Sequence, residues 1–237
     1  MDSQQLLLGL AWYVVLVFSL TVHEASHAWA ARRGGDPTAY LGGQVSLDPR
    51  PHIRREPMGM VLVPLLSFAS SGGWMIGWAS TPFDPRWALD HPRRAAWMSL
   101  AGPASNFALV LAAGVAIRLG IASGAFQAPA SIGFTQLVAA PGGGVAELLA
   151  VLLSILFTLN LLLGVFNLIP VPPLDGSGAL GLLLPEETAR RAQLLLRRPQ
   201  LSLLGLVLAW FLIGRIFSPV HLLAIQLLYP EFSYGYR

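Results

Sequence analysis

LLLGLAWYVVLVFSLTVHEASHAWAARR (residues 6–33) decides how the rest of the chain is read. Its apolar run from Leu6 to Ala31 is long enough to cross a bilayer core of about 30 Å as one helix. Asp2 precedes the run without a basic residue and no clear cleavage site ends it, so it reads as a retained span rather than a signal peptide. His23, Glu24, Ser26 and His27 interrupt it near its end, and Arg32 and Arg33 close it. On a helix, positions i and i+4 share a face, so His23 and His27 can reach one metal ion. Glu24 stands beside them, placed to take a proton from water at that metal. Ionisable groups inside a membrane helix are costly and point to function; the alternative is a polar patch that joins helices.

Composition agrees with a membrane setting. Only 11% of the 237 residues are charged, against about 25% in a soluble domain. Hydrophobic residues reach 54% and mean hydropathy is +0.61, leaving too little charge to cover a soluble surface. This excludes a disordered chain and an ordinary soluble enzyme. With no cysteine, there is no disulfide and no thiolate ligand, so any metal must be held by His, Asp or Glu. The net charge is +3 and every basic residue is arginine. Despite a pI near 9.8, the arginines cluster between apolar runs, which is a topology signal rather than a nucleic-acid stripe.

These features predict an all-α polytopic membrane protein of five to six hydrophobic segments, built as one domain over residues 1–237. The expected parts are a helix over 6–31, a strand-like loop over 34–57, and a re-entrant hairpin or two short helices over 59–80. A helix over 95–117, a helix and loop over 145–176 and a last helix over 201–229 follow. A short apolar run at 177–184 precedes the charged segment 185–198. The strand expectation comes from weak alternation in TAYLGGQVSL (38–47) between Pro37 and Pro49. The hairpin expectation comes from basic flanks on both sides of 59–80, with a turn at Gly72-Gly73. The arginine-rich segments 32–57, 81–94 and 185–198 are placed in the cytoplasm, and 118–144 outside.

A catalytic zinc site needs a third protein ligand. Asp175 stands out within NLIPVPPLDG (167–176), where three prolines end the helix and leave backbone carbonyls unpaired. A plain helix stop followed by an Asp-Gly turn is the competing reading. His27 lies about 8 Å and His23 about 13 Å below the cytoplasmic arginines. Asp175 follows a helix that ends on the same side, so the three can meet. In AGPASNF (101–107), Gly102 and Pro103 permit close helix packing, and Asn106 carries an amide roughly 18 Å in from Arg94. Asn106 either donates to a developing oxyanion or bonds a neighbouring helix.

HEASH, AGPASN and NLIPVPPLDG, in this order on successive apolar segments, resemble the site-2 protease family of intramembrane zinc metalloproteases. The resemblance implies one zinc per chain held by His23, His27 and Asp175, Glu24 as general base and a helper role for Asn106. It implies cleavage of transmembrane protein substrates within the lipid bilayer of a bacterial inner membrane, by a multi-pass protein whose active site faces the cytoplasm. Residues 35–53 are similar to the family loop thought to receive substrate in extended form. With no room for a PDZ domain between the third and fourth runs, or for a nucleotide-binding tail, the chain resembles the minimal branch.

The other polar residues have plainer readings. His52 and His91 are expected at solvated or interfacial positions, and His221 as a helix-packing residue. Asn160 and Asn167 are seven residues apart on one helix face; either could line the site, and packing is the default expectation. Two rival functions remain: a transporter or proton relay using His23, Glu24 and His27, and a catalytically silent scaffold of the same fold.

Overall fold

The computed structural model describes residues 2–196 and 198–231; Arg197 and the ends of the chain lie outside them. Among the described residues the fold is helical, with α1 over Ser3–Gly34, α2 over Thr38–Leu41 and α3 over Pro49–Arg55. A π-helical turn over Met58–Leu62 runs into α4, Val63–Ser71. Then come α5 (Pro85–Asp90), α6 (Pro92–Ala122), α7 (Gly144–Asn167) and α8 (Asp175–Ala179). A 3₁₀ turn, α9 (Glu186–Leu196) and α10 (Pro199–Leu228) follow.

Among the described residues four helices, α1, α6, α7 and α10, are long and apolar enough to cross a membrane, and the protein is a multi-pass membrane protein. The apolar helix Met58–Ser71 is shorter. Helix α1 opens on a capping box in which Asp2 accepts from the Gln5 N–H, and it stops where Gly35 turns left-handed at φ 100°. Its small residue Ala31 is buried and packs with Ala95 and Met98 of α6, which lets the two backbones come close. Helices α1 and α6 run antiparallel, since His27 meets Met98 while His23 meets Asn106.

Residues 34–57 form no strand, which corrects the expectation for that loop. The Asp36 carboxylate accepts from both the N–H and the hydroxyl of Thr38, and Asp48 caps Arg50 N–H behind Pro49. These turn- and helix-starting contacts outweigh a weak alternation bracketed by prolines. Within this stretch His52 is only 1% exposed, with Nε2 on the Ser46 carbonyl, so it is a buried rather than solvated histidine.

Residues 58–84 make a hairpin with one helical and one extended arm. The chain turns at Gly72, whose φ of 68° suits glycine. Gly77 packs against Leu16, and Thr81 reaches Glu24. The arm thus advances four residues while α1 advances eight, about 12 Å of helix, so its chain is extended. Trp78 N–H donates to the Gly59 carbonyl and ties the arms together. Met60, Phe68 and Met75 pack with Trp12 and Leu16 of α1 and fix the hairpin along it.

Candidate metal centre

The side chains of His23, His27 and Asp175 meet at one point, although Asp175 lies 152 positions beyond His23. His23 Nε2 is 3.1 Å from Asp175 Oδ2, His27 Nε2 is 3.2 Å from the same oxygen, and the two Nε2 atoms are 3.0 Å apart. A tetrahedral zinc with bonds of about 2.0–2.1 Å sets its ligands about 3.3 Å from one another. The triangle is therefore close to one face of such a site.

The partners on the far side of each ring fix what the triangle offers. His23 Nδ1 donates to Asn106 Oδ1 at 2.6 Å, and His27 Nδ1 donates to the Met98 carbonyl at 2.7 Å. Each Nε2 then presents a lone pair, and Asp175 presents a carboxylate oxygen. With both rings neutral the three groups offer one another only acceptors, and they repel unless a cation stands among them. The residues present fit a divalent metal.

Gly102 of α6 completes the cradle. A Cβ built on it would fall 2.5 Å from His23 Nε2 and 2.6 Å from His27 Cε1, and closer still to His27 Nε2. The missing side chain thus leaves open the space that the two imidazoles face. Gly102 signals close packing in the sequence; that the packing partner is the His23–His27 pair is visible only here.

Asp175 is brought in by the segment after α7. Pro170 and Pro172-Pro173 break the helix, and Val171, Leu174 and Ser177 N–H groups close successive tight turns. A Cβ on Gly176 would strike the Leu168 carbonyl, and one on Gly205 of α10 would strike the Pro172 carbonyl. Close backbone approach at both glycines locks the loop that carries the carboxylate.

Asn106 does not face the triangle with its amide. Its Nδ2 donates to Asn160 Oδ1 at 2.8 Å, while Asn160 Nδ2 donates to Ser19 Oγ and the Leu156 carbonyl. Ser19, Asn106 and Asn160 are all fully buried. The relay runs from α1 through α7 and α6 back to His23, so of the two readings open for Asn106 the described contacts are those of a bond to a neighbouring helix. The carbonyl is taken because His23 Nδ1–H needs an acceptor, which turns the amide toward Asn160. Replacing Asn106 by Ala is expected to weaken metal binding about 10–100-fold, the usual cost of losing such a support. Competition with a chelating indicator measures it, and unchanged affinity would leave the relay without a role in holding His23.

Glu24 is buried beside His23, with Oε2 2.7 Å from the Thr81 hydroxyl. Thr81 and Ser19 were not singled out by sequence, since neither sits in a recognisable pattern. Asn167 donates to Leu163 of its own helix, and His221 stacks on Phe217 in α10. Neither joins the triangle.

Two buried histidines on a helix able to cross a bilayer meet the half-buried Asp175 of the short α8, with Glu24 adjacent, a group that could hold a metal ion in the manner of an HExxH site. The comparisons agree: residues 11–211 match the profile of Peptidase family M50, and the chain belongs to that family. It is 34% identical to "Putative zinc metalloprotease YwhC" of Bacillus subtilis over 170 residues, covering 69% of this chain and 64% of that protein. It is also 34% identical to "Putative zinc metalloprotease Rip2" of Mycobacterium tuberculosis (strain H37Rv) over 203 residues, 86% of this chain and 68% of that one. The chain thus spans just under two thirds of the length of the first relative. No solved structure matches it.

Proposed function

We propose that residues 1–237 work as one membrane-embedded zinc metalloprotease domain that hydrolyses peptide bonds within or near transmembrane segments. The observation that carries this reading is the convergence of His23, His27 and Asp175 with Glu24 at their side, where the two histidines and the glutamate stand on a helix long enough to cross a bilayer. His23, His27 and Asp175 would hold one zinc. When bound, the metal lowers the pKa of water toward about 7 and polarises the scissile carbonyl.

Glu24 then accepts the water proton and delivers it to the leaving amine. Its Oε1 accepts from no described residue, which leaves that oxygen for water. Asn106 acts through His23 by holding its Nδ1–H, rather than by touching the substrate. Helical substrates hide their peptide bonds, so the scissile segment has to be extended. The extended chain beside Glu24 is the arm at 73–84, which takes over the substrate-holding role that the resemblance placed in 35–53. Trp78 and Ile76 N–H groups are used within the hairpin, whereas Met75, Gly77 and Ala79 N–H groups donate to no described residue. That alternation is what an unfilled strand edge offers to an added chain. The arginines at 32, 33, 54, 55, 93 and 94 favour a cytoplasmic entrance in a bacterial inner membrane.

A transporter or proton relay would need ionisable groups spaced along a path. Here they converge on one point closed by the Gly102 backbone, which favours a fixed metal. A silent scaffold has no use for an ordered Glu24.

Elemental analysis of detergent-purified protein is expected to find one zinc per chain, sharply reduced in His23→Ala and in Asp175→Ala. Wild type that stays metal-free after zinc is resupplied would overturn the protease reading. Loss in the His23 variant alone would remove Asp175 from the ligand set.

A further inference from the structure

We propose that Thr81 is a positioning residue for Glu24, one that clamps a single carboxylate oxygen and leaves the other to work on water. The proposal rests on the general-base reading above. Thr81 Oγ1 lies 2.7 Å from Glu24 Oε2 and 2.9 Å from the Glu24 carbonyl. The hydroxyl has one proton to give. The carbonyl is inside α1, where the helix ladder already supplies a donor, so the proton goes to the carboxylate, the stronger acceptor. Glu24 makes no other side-chain hydrogen bond among the described residues.

A glutamate held only by its own helix has three torsions to order. The clamp removes that freedom at the end that matters. It is also delivered from a fixed place, because the residues just before Thr81 are anchored on other elements. Ser80 Oγ donates to Glu56, Arg55 Nε donates to Ser80 Oγ, and Gln44 Nε2 donates to the Ser80 carbonyl. Pro82 follows Thr81 and stiffens the chain on its other side. The arm with the open N–H groups is therefore also the arm that sets the base. Binding along the edge and aiming Glu24 are joined through one short stretch of backbone.

The test uses full-length zinc-loaded protein in detergent, as wild type, Thr81→Val, Thr81→Ser and Glu24→Gln. Valine keeps the shape of threonine and removes only the hydroxyl. The first readout needs no substrate: the infrared carboxylate stretch of protein labelled with ¹³C at glutamate carboxyls. The band missing from Glu24→Gln belongs to Glu24. It is expected to shift in Thr81→Val and to return in Thr81→Ser, with zinc content equal throughout.

The second readout is cleavage of a leucine-rich transmembrane peptide with a helix-breaking Asn-Gly-Pro centre. Thr81→Val is expected to lower kcat about 10–100-fold with KM unchanged, as for loss of a support behind a reacting group, and serine to restore it. A Glu24 band that stays in place in Thr81→Val overturns the proposal, whether or not this peptide is cut. So does a Thr81→Ser protein that recovers neither band nor rate. Undiminished cleavage by Glu24→Gln overturns the general-base reading instead, independently of where the band lies.

Discussion

Glu24→Gln is expected to lower peptide-bond hydrolysis about 100–10,000-fold, the range a positioned general base contributes, while one zinc stays bound. Glutamine keeps the length of the side chain, and its carbonyl oxygen can still accept from the Thr81 hydroxyl, so the geometry around it is preserved. What it loses is the ability to take a proton. The metal is expected to stay because His23, His27 and Asp175 meet one another without help from Glu24. Zinc analysis beside a cleavage assay checks both halves. Retained cleavage would remove Glu24 from the mechanism, and lost zinc would make it a ligand or a structural support.

Gly102→Ala is expected to abolish stoichiometric zinc binding, a larger effect than the roughly 10–100-fold expected for Asn106→Ala. The added methyl would occupy the space toward which both Nε2 atoms point, and the nearest atoms are ring atoms anchored at their other nitrogens by Asn106 and Met98. Neither ring can turn aside without giving up that buried bond. The helix itself tolerates alanine well, so helicity by circular dichroism should be unchanged. Zinc bound to Gly102→Ala at wild-type affinity would show that α6 does not wall the metal site. The same substitution at Gly214, which has nothing within 4 Å, is the control and should leave zinc binding intact.

Much of the fold was legible because its signals are local. Membrane-crossing length, the arginine flanks and the i, i+4 spacing of His23 and His27 are all read within single segments. The turn at Gly72 was legible for the same reason, since glycine there suits a left-handed backbone. The loop after α1 was misread because its alternation is weak while its real determinants, Asp36 on Thr38 and Asp48 before Pro49, are side-chain contacts spanning two residues. Asn106 was half legible. Its place beside the site followed from depth along α6, but which end of the amide faces His23 depends on Asn160 and Ser19 from two other helices.

The sequence by itself determined that this chain lives in a membrane, that two histidines and a glutamate share one turn of its first helix, and that a proline-broken segment carries a carboxylate to the same side. Each of these follows from hydrophobic cost and helix period, which act within a segment. Only the tertiary structure decided that Asp175 meets the two histidines, that the Gly102 backbone leaves room where their rings converge, and that Thr81 rather than a motif residue bonds Glu24. Those depend on how closely helices and the hairpin arm approach one another, and such approach is set by packing between segments far apart in the chain.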